Sequence, residues 1–409
     1  MKVLVLNCGS SSVKFQLIET SLQAIEDGTE KILAKGSVEK IGMTNAVVTY
    51  DAEGKPPLKE MPTILEHKVA IEKILKVLTD PEIGVIKDKS DIEAVGHRVV
   101  HGGEKFSKSE VITKEVLHEI QECNELAPLH NPHNVKGYQI ASQLLPDIPH
   151  AAVFDTSFHQ SMPARAYLYG LPYVLYQRHA IRRYGFHGTS HRYLTFRSEH
   201  LLKKKREEFR LITIHLGNGC SMAAVKYGKS VDTTMGFTPL EGLLMGTRTG
   251  DLDPAIILHV MAKEEIGLHE ANTLLNKHSG LIGISGVSND MRELFKEAEK
   301  GNERAQLAIE IFAYRVKKYI GAYLAVLGGA DAIAFTGGIG ENAVSIREKA
   351  CHGIEALGVK LDKTRNAEMV GREGLISTDD SIVKVFVIPT NEELVIARDT
   401  VRSIEGEVT

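Results

Sequence analysis

The feature that most constrains the fold of this chain is a polar, glycine-containing turn between two apolar segments, and it occurs twice. The first copy reads VLVLNCGSSSVKF from Val3, and the second reads ITIHLGNGCSMAAV from Ile212. In both copies, the apolar run before the turn and the run after it predict two adjacent strands. Each copy is followed by a further strand and then by helices. The repetition predicts an α/β chain of two duplicated domains that face each other across a cleft, with a chance likeness of two hairpins as the alternative.

The turn of the first hairpin is expected to span Asn7–Ser12 and to bind an anion. Three consecutive serines followed by Lys14 are more polar groups than the geometry of a tight turn requires. Small side chains let backbone N–H groups approach phosphate oxygens, hydroxyl groups donate further hydrogen bonds, and the lysine adds a positive charge. An ordinary polar turn is the alternative interpretation.

The composition predicts a cytoplasmic globular protein and gives no sign of a nucleic-acid or membrane partner. The 409 residues are enough for two domains, 43% of them are hydrophobic, 25% are charged, and the net charge is −4. The four scattered cysteines form no CxxC pair, which indicates a reducing compartment. The most apolar stretch, residues 320–335, contains glycine and aspartate and is not expected to span a membrane.

A second glycine-rich segment, FTGGIGENA, follows an apolar strand and precedes a predicted helix. Gly338, Gly340 and Ala343 match the G-x-G-x-x-A pattern of dinucleotide-binding turns, although no βαβ unit is evident around them. Glycines before a helix N-terminus suit an anionic or ribose-bearing ligand, and an ordinary strand-to-helix turn is the alternative. The chain has no G-x-x-x-x-G-K-[ST] sequence, so a P-loop enzyme is excluded.

Arginine, histidine and aspartate side chains recur near the ends of predicted strands. Arg98 lies in GHRVVHGGEKF, Asp155 in VFDTSFH, His187 in RRYGFHGTSHRYL and Arg248 in MGTRTGDLDP. Each alone is typical of a surface ion pair or a helix cap, but their recurrence at strand ends favours a functional site. The two H-x-x-x-H spacings lack the carboxylate of a zinc-protease helix, so zinc is not expected.

The segment PTNEEL places two glutamates at the start of the last predicted helix. Thr390 and Glu393 have the spacing of a capping box, in which each side chain accepts a hydrogen bond from the other residue's backbone. This interpretation gives Glu393 a structural role and leaves Glu392 available for chemistry.

Ten segments, found in order along the whole chain, resemble the acetate kinase family. They are VLNCGSSSVKF, GHRVVHGG, APLHNPHN, FDTSFH, YGFHGTSHRY, HLGNGCS, MGTRTGDLDP, SNDMREL, FTGGIGEN and PTNEEL. The resemblance implies two duplicated α/β domains of the actin, sugar-kinase and chaperone-ATPase type, with a nucleotide cleft between them. It implies an N-terminal domain of residues 1–154 and 393–409, and a C-terminal domain of residues 155–392.

The resemblance also implies a role for each matched residue. The implied catalytic residues are Arg98, Asp155, His187 and Arg248. The implied acetate site consists of Arg98 for the carboxylate and of Val100, Leu129, Phe186 and Pro239 around the methyl group. The implied nucleotide site consists of Ser10, Ser12, Lys14, His215, Leu216, Gly217, Asn218, Gly219, Asp290, Met291, Arg292, Gly338, Ile339, Gly340, Glu341 and Asn342. The implied metal ligands are Asn7 and Glu392, with Asp155 serving the same site, for Mg²⁺ or alternatively Mn²⁺.

The implied reaction is the reversible, direct in-line transfer of the γ-phosphoryl group of ATP to acetate, which gives acetyl phosphate and ADP. Acetate, with a pKa near the value of roughly 4.3 of a glutamate side chain, is already ionised at neutral pH and needs no general base. We therefore interpret Asp155 as an orienting group more than as a proton acceptor, with a covalent phospho-enzyme on Glu392 as a less economical route. A propionate kinase of the same family and a non-catalytic, chaperone-like ATPase of the same fold are the alternatives. A homodimer is implied by the resemblance alone.

Overall fold

The computed structural model describes residues 1–128 and 130–407, which form two compact units. Unit 1 contains Met1–Phe158 and the C-terminal segment that starts at Asn391, and unit 2 contains His159–Thr390. The domain boundaries given above from the sequence stay a prediction.

The chain begins with unit 1, in which strands predominate. Its strands are β1 (Lys2–Cys8), β2 (Ser12–Glu19), β3 (Lys31–Glu39), β4 (Val47–Ala52), β5 (Leu58–Glu60), β6 (Ala94–Val99), β7 (Glu110–Val111) and β8 (His150–Phe154). Its α-helices up to this point are α1 (Leu22–Asp27), α2 (His67–Leu78), α3 (Lys114–Glu122) and α4 (Asn131–Leu144).

Unit 2 is richer in helices, and the chain then returns to unit 1. The strands of unit 2 are β9 (Arg210–Leu216), β10 (Cys220–Lys226), β11 (Lys229–Thr233), β12 (Ala332–Thr336), β13 (Gly374–Leu375) and β14 (Lys384–Val387). Its α-helices are α5 (Ala164–Tyr167), α6 (Tyr173–His179), α7 (Gly188–Leu202), α8 (Pro254–Glu264), α9 (Leu268–Lys277), α10 (Gly280–Ser285), α11 (Met291–Glu299), α12 (Glu303–Leu327), α13 (Gly337–Asn342), α14 (Val344–Cys351) and α15 (Lys363–Glu368). The last helix, α16 (Glu392–Glu405), belongs to unit 1. Short 3₁₀ turns cover Lys89–Asp91, Cys123–Glu125, Ser157–Ser161, Arg206–Glu208 and Glu355–Leu357.

The two sheets share one strand order, which confirms the duplicated α/β fold predicted from the two hairpins. The order is β5-β4-β3-β2-β1-β6-β8-β7 in unit 1 and β11-β10-β9-β12-β14-β13 in unit 2. In each sheet an antiparallel three-stranded ribbon is followed by two parallel strands and an antiparallel edge strand. Unit 1 differs only by β4 and β5, which extend its sheet beyond β3.

Both predicted hairpins form, but the first has a shorter turn than predicted. Strand β1 continues to Cys8 and β2 starts at Ser12, so Asn7 pairs with Lys14 in the ladder instead of lying in the turn. The Gly9 N–H donates to the Ser12 carbonyl at 2.8 Å and closes the turn. The longer ladder forms because it satisfies the backbone groups of Asn7 and Lys14 while their side chains still project from the strand. In the second hairpin the turn is residues 217–219.

The parallel strands of unit 1 are covered by helices on both faces, which explains their continuous apolar sequence. Leu4 and Leu6 of β1 pack in one core with residues of α2 and α4. Val3 and Val5, which point to the opposite face, pack with residues of α16. The C-terminal helix therefore completes the core that the N-terminal strand begins.

Four helices of unit 2 agree with the apolar spacing of their sequence. The spacing predicts helices over residues 254–261, 269–277, 291–300 and 303–327, and these segments form α8, α9, α11 and α12. Across residues 1–128 and 130–407, every helix is too short or too polar to serve as a membrane-spanning segment.

The contact between β6 and α16 leaves no space for a side chain at Gly96. A Cβ built there would lie 2.4 Å from Thr400 Oγ1 and 2.8 Å from Ile396 Cγ2. We predict that Gly96→Ala lowers the free energy of unfolding by about 1–3 kcal/mol, as overpacked sites do, in a urea titration. The control is Gly321→Ala in α12, where no atom lies within 4 Å of the built Cβ. Equal losses of stability in the two variants would contradict the proposed packing of α16.

Candidate active site

In unit 1, three of the predicted site residues lie at the carboxyl ends of adjacent parallel strands. Asn7 is near the end of β1, Arg98 is near the end of β6, and Asp155 follows β8 directly. Strand β6 pairs in parallel with both β1 and β8, so these ends meet at one edge of the sheet. In open α/β sheets, this edge is where ligands bind.

Arg98 and Asp155 form a bidentate ion pair. Arg98 Nε donates to Asp155 Oδ1 at 2.9 Å, and Nη2 donates to Oδ2 at 2.6 Å. The Asp155 side chain is 1% exposed and that of Arg98 is 21% exposed. Burial alone would lower the pKa of Arg98, but Asp155, with smaller contributions from Glu392 and Glu393, raises this pKa above its usual value. The guanidinium group therefore stays charged.

Arg98 keeps N–H groups for a ligand after it has bound Asp155. Its Nη1 donates to Asn7 Oδ1 at 3.3 Å, so three of the five N–H groups are engaged. The two others, one on Nη1 and one on Nη2, belong to a planar group whose geometry matches a carboxylate.

Two buried asparagines of α4 fix the segment that follows β6. Asn134 accepts a hydrogen bond from Val100 N at 3.1 Å and donates one to Cys8 O at 2.8 Å. Asn131 accepts from His101 N at 3.0 Å and donates to His101 O at 2.8 Å. The sequence analysis did not assign these asparagines a role, although the segment APLHNPHN contains both. Val100 is thereby held in a defined place.

Three other residues are predicted to line the acyl pocket, namely Leu129, Phe186 and Pro239. Leu129 lies outside the described residues. Phe186 and Pro239 belong to unit 2, where Phe186 is buried and Pro239 is partly buried.

The turn of the first hairpin is anchored from within unit 1. His67 Nε2 is hydrogen-bonded to Gly9 O at 2.7 Å, and Ile41 N donates to Ser11 O at 2.9 Å. Ser10 and Lys14 are exposed, and Ser12 is partly buried. The turn is thus a fixed support with accessible donors, as a phosphate site requires.

The capping box predicted for Thr390 and Glu393 is wrong. The N-cap of α16 is Asn391, whose side chain accepts from Leu394 N at 3.0 Å. Asparagine caps a helix at least as well as threonine, so the helix starts one residue later than the Thr-x-x-Glu spacing suggested. Thr390 instead donates its backbone N–H to Glu341 Oε1 at 3.2 Å.

The two glutamates at the start of α16 differ in their surroundings. Glu393 accepts from Gln16 Nε2 at 3.5 Å, and burial, reinforced by Glu392, raises the pKa of Glu393 above its usual value. Glu392 is the first residue of α16 and is partly buried.

In unit 2, His187 and Arg248 both border the space above Gly219. A Cβ built at Gly219 would lie 3.6 Å from His187 Nε2 and 3.6 Å from Arg248 Nη1. The missing side chain therefore leaves room between an imidazole and a guanidinium group. Such a place suits an anionic oxygen.

Arg248 is held by a carbonyl oxygen and has no carboxylate partner in the described part of the chain. Its Nη1 donates to Pro239 O at 3.1 Å, and burial lowers the pKa of Arg248. A partly desolvated cation without a counter-charge is unfavourable, so an anionic ligand would stabilise this arrangement.

His187 is held in an unusual backbone conformation directly before α7. Its φ of 56° is in the left-handed region, which costs a non-glycine residue on the order of 1–3 kcal/mol. Its Nδ1 is hydrogen-bonded to Ser221 Oγ at 2.9 Å, and its ring stacks on His215 with centroids 4.4 Å apart. His215 Nδ1 is in turn bonded to Ser190 Oγ at 2.8 Å.

A pocket of about 780 Å³ in unit 2 is lined by half of the residues predicted to bind the nucleotide. Its predicted lining residues are Gly217, Asn218, Asp290, Met291, Arg292, Gly338, Ile339 and Asn342. Asn289, Phe295 and Ala343 also line it and were not predicted. Four other predicted nucleotide residues of unit 2 belong to neighbouring elements. The second hairpin contains His215, Leu216 and Gly219, and α13 contains Gly340.

The segment GGIGEN forms α13, within a strand–helix–strand unit that the sequence analysis did not detect. Strands β12 and β14 are parallel neighbours, and α13 follows β12 directly. Glu341, predicted to bind nucleotide, accepts from Thr336 Oγ1 at 3.1 Å and from Gly337 N at 2.9 Å. The buried Arg347 donates to Gly340 O at 2.8 Å and fixes the other end of α13. No local pattern around Arg347 indicated this role.

The fold and these sites define the class of the protein. Two α/β units of one topology, with a glycine-containing hairpin turn in each and with anion-binding groups at the strand ends, are typical of phosphoryl-transferring enzymes. The chain belongs to the acetokinase family, whose model matches residues 2–398. It is therefore a kinase, a phosphotransferase, and the resemblance inferred from its ten segments is confirmed.

Similar proteins cover nearly the whole chain. The acetate kinase of Caldanaerobacter subterraneus subsp. tengcongensis is 53% identical over 99% of this chain and 100% of its own length. The crystal structure of Porphyromonas gingivalis acetate kinase has a TM-score of 0.91 at 47% identity and covers 98% of this chain and 99% of that chain. A propionate kinase from Francisella tularensis subsp. tularensis has a TM-score of 0.89 at 43% identity and covers 98% of both chains.

The space above Gly219 generates a prediction. A methyl group there would make only ordinary contacts of 3.5–3.6 Å with His187 and Arg248, so Gly219→Ala should fold with nearly unchanged thermal stability. It would fill the place assigned to an anionic oxygen, and we expect turnover to fall by about 100-fold, as when an oxyanion donor is lost. Turnover and a melting curve should be measured on the same preparation. Unchanged turnover would show that no reacting group occupies this space.

Proposed function

We propose that this chain transfers the γ-phosphoryl group of ATP to acetate, reversibly, giving acetyl phosphate and ADP. The observation that supports this most strongly is the difference between two arginines. Arg98 is paired with Asp155 and keeps two N–H groups, enough for one carboxylate, whereas Arg248 has no carboxylate beside it among the residues that the structure describes. A reaction between a carboxylate and a phosphoryl group needs one site of each kind.

Arg98 would bind the acetate carboxylate, and the residues in contact with its methyl group would be Val100, Leu129, Phe186 and Pro239. Since an apolar pocket discriminates one methylene by only about 1–3 kcal/mol, propionate should be a poorer substrate and not an excluded one. The Francisella tularensis propionate kinase is the specific reason to keep propionate as the second candidate acceptor.

Nucleotide would occupy the pocket of unit 2 beside α13, with its phosphates at the second hairpin turn. Ser10, Ser12 and Lys14 of the first hairpin would supply further donors to the phosphates. His187 and Arg248 would stabilise the charge on the phosphoryl group during transfer, which is the main catalytic requirement of such reactions.

Asp155 would orient Arg98 instead of accepting a proton. Both of its oxygens already accept hydrogen bonds from the guanidinium group, and acetate has no proton to remove at neutral pH. Direct in-line transfer then needs no covalent intermediate on Glu392.

The metal would be Mg²⁺, or Mn²⁺ in its place, held by Asn7 and Glu392. Amide and carboxylate oxygens are the donors that these hard cations prefer, so the residue types fit. Across the described residues there is no group of three or more His, Cys, Asp or Glu side chains that could hold a metal. This fits an ion that takes few protein ligands and completes its shell with phosphates and water. The ion would supply positive charge that offsets the negative charge of the nucleotide phosphates.

We also propose that the protein is a cytoplasmic homodimer. Helix α8 has no buried residue although it is rich in apolar side chains, and Ile256 and Leu258 are 45% and 69% exposed. An apolar helix without cover is typical of a subunit interface. The four cysteines are buried and form no disulfide, which suits a reducing compartment.

The proposed reaction is tested by trapping the acyl phosphate with hydroxylamine, in parallel reactions with acetate, with propionate and without acid. We expect hydroxamate with acetate, less with propionate and none without acid. Arg98→Ala should lower turnover on the order of a thousandfold and raise the KM for acetate, and Arg248→Ala should lower turnover comparably with a smaller change in that KM.

Arg98→Lys is the matched variant for this test. A lysine keeps the charge but cannot hold Asp155, Asn7 and a carboxylate at once, so it should not restore activity. Phosphate release from ATP at equal rates with and without acid would favour the chaperone-like ATPase. Near-normal turnover of folded Arg98→Ala would remove this residue from the acetate site.

The metal assignment makes a separate prediction. Glu392→Gln keeps the size of the side chain and removes its charge, so the Mg²⁺ concentration for half-maximal activity should rise by at least about tenfold. Glu405→Gln, at the exposed end of the same helix, is the control and should leave the Mg²⁺ titration unchanged. Both variants should melt near the parent temperature. An unaltered Mg²⁺ titration of Glu392→Gln would exclude Glu392 from the metal site.

A further inference from the structure

A single tyrosine hydroxyl group joins both ends of the turn formed by residues 237–241 in unit 2. Tyr169 Oη accepts a hydrogen bond from Phe237 N at 2.9 Å and donates one to Glu241 Oε2 at 2.5 Å. The second distance is typical of a hydroxyl group that donates to an ionised carboxylate. The directions of both bonds are fixed, because a backbone N–H can only donate and a carboxylate can only accept.

The other oxygen of Glu241 is bound by an arginine. Arg183 Nη2 donates to Glu241 Oε1, and Arg183 Nη1 donates to Thr233 O at 2.8 Å and to Thr234 O at 2.9 Å. Burial alone would lower the pKa of Arg183, but Glu241 raises this pKa above its usual value, so the guanidinium group stays charged. Both carboxylate oxygens are thus held, and we call Tyr169, Arg183 and Glu241 the Glu241 clamp.

Gly236 provides the space in which the clamp lies. A Cβ built at Gly236 would lie 1.8 Å from Glu241 Oε2 and 2.3 Å from Tyr169 Oη. A larger residue at this position would therefore displace the carboxylate or the tyrosine. Gly236 is itself buried, and its carbonyl oxygen accepts from Tyr184 N at 3.0 Å. The chain beside the clamp is thus also fixed.

The turn that the clamp closes carries the carbonyl group that holds Arg248. Pro239 is the middle residue of the turn, and its carbonyl oxygen accepts from Arg248 Nη1 at 3.1 Å. The ring of a proline fixes its φ angle, which leaves this turn few conformations. Since both ends of the turn are tied to Tyr169, the direction of the Pro239 carbonyl group is restricted further.

We propose that the three residues of the Glu241 clamp are positioning residues, which act through Pro239 to orient the guanidinium group of Arg248. The inference rests on the proposed function only in taking the anion at Arg248 to be a phosphoryl group. Arg248 Nη1, which donates to Pro239, is also the atom that borders the space above Gly219. A shift of Pro239 would therefore move the nitrogen that meets the anion, and a misplacement of about 1 Å is enough to slow a reaction strongly.

The orientation of Arg248 can be measured without any substrate. In protein labelled with ¹³C,¹⁵N-arginine, the side-chain signals of Arg248 are identified as those that disappear in Arg248→Lys. The bond from Nη1 to Pro239 O slows the rotation of the guanidinium group about its Nε–Cζ bond. Tyr169→Phe should speed this rotation by up to about tenfold, the rate equivalent of one hydrogen bond.

Glu241→Gln is a second variant, which keeps the size of the side chain and removes the charge that Arg183 binds. It should also speed the rotation of Arg248. Rotation at the parent rate in both Tyr169→Phe and Glu241→Gln would overturn the proposal, whichever acid the enzyme phosphorylates.

A double-mutant cycle distinguishes a positioning role from a merely structural one. Tyr169→Phe should lower turnover by about 10-fold in the parent protein. The same change should lower turnover by less than about twofold in Arg248→Ala, because the group that the clamp positions is then absent. Equal losses in the two backgrounds would show that Tyr169 acts independently of Arg248, and would overturn the proposal.

Tyr50→Phe is the matched control. It removes a hydroxyl group of unit 1 that donates to Ile83 O at 2.9 Å, outside the Glu241 clamp. Turnover and the rotation of Arg248 should both stay at the parent values. Faster rotation in Tyr50→Phe as well would contradict the proposal, because the rotation would then report a general loosening of the protein.

The outcomes separate this proposal from the proposed function. The expected rotation rates in a protein that makes no acyl phosphate would contradict only the proposed function. Conversely, formation of acetyl phosphate by a protein in which Arg248 does not respond to Tyr169→Phe and Glu241→Gln would contradict only the role of the clamp.

Discussion

A positive charge that is partly removed from water has to be compensated, and this constraint governs an arginine in each of the two units. Arg98 is compensated within the protein by Asp155, through two hydrogen bonds of 2.9 and 2.6 Å. Within residues 1–128 and 130–407, the Arg248 guanidinium group contacts the carbonyl oxygen of Pro239 and the sulfur of Met245 and has no carboxylate partner. The first arrangement is complete without a ligand, and the second is not. An anionic ligand would therefore stabilise the charge of Arg248 more than that of Arg98.

In both units, the same arrangement of strands places polar side chains at one edge of the sheet. The first strands of the two units in chain order are β1 and β9. Each lies inside its sheet, between its antiparallel hairpin partner and a parallel strand, so the hairpin turn and the carboxyl end of the parallel strand meet at one edge of the sheet. In unit 1 that edge carries Asn7 and Arg98, and in unit 2 it carries His215 and Thr336. The shared topology thus gives each unit a corresponding sheet edge, and the two edges carry different side chains.

The strands and long helices could be predicted because they depend on local apolar patterns. The apolar residues of Val3–Leu6 predict a buried strand, and the apolar spacing of Glu303–Leu327 predicts a long helix. The structure confirms both elements. The bounds of the first hairpin turn were wrong because the strand ladder continues to Cys8 and resumes at Ser12. The cap of α16 was wrong because two adjacent polar residues can each cap a helix. Asn391 rather than Thr390 caps the helix, and the spacing alone could not decide between them.

The site itself was predictable only in part. The polar residues at strand ends, such as Arg98 and Asp155, were evident because polar groups interrupt buried segments there. The groups that hold them in place were not evident, since Asn134, Arg347 and Ser221 act through contacts with residues distant in sequence or through backbone atoms. Contacts of this kind produce no periodicity or motif in the sequence. The assignment of each side chain to a ligand therefore had to rest on family resemblance.

The central claim is that an oxygen of acetate attacks the phosphorus of ATP. It is tested most directly by running the reaction with ¹⁸O-labelled acetate in ordinary water and then cleaving the product with hydroxylamine. Hydroxylamine attacks the carbonyl carbon, so the bridging oxygen leaves with the phosphate. The account predicts one ¹⁸O atom in each phosphate released by hydroxylamine. Phosphate without ¹⁸O would contradict it, because the oxygen joined to phosphorus would then have come from water or from the nucleotide.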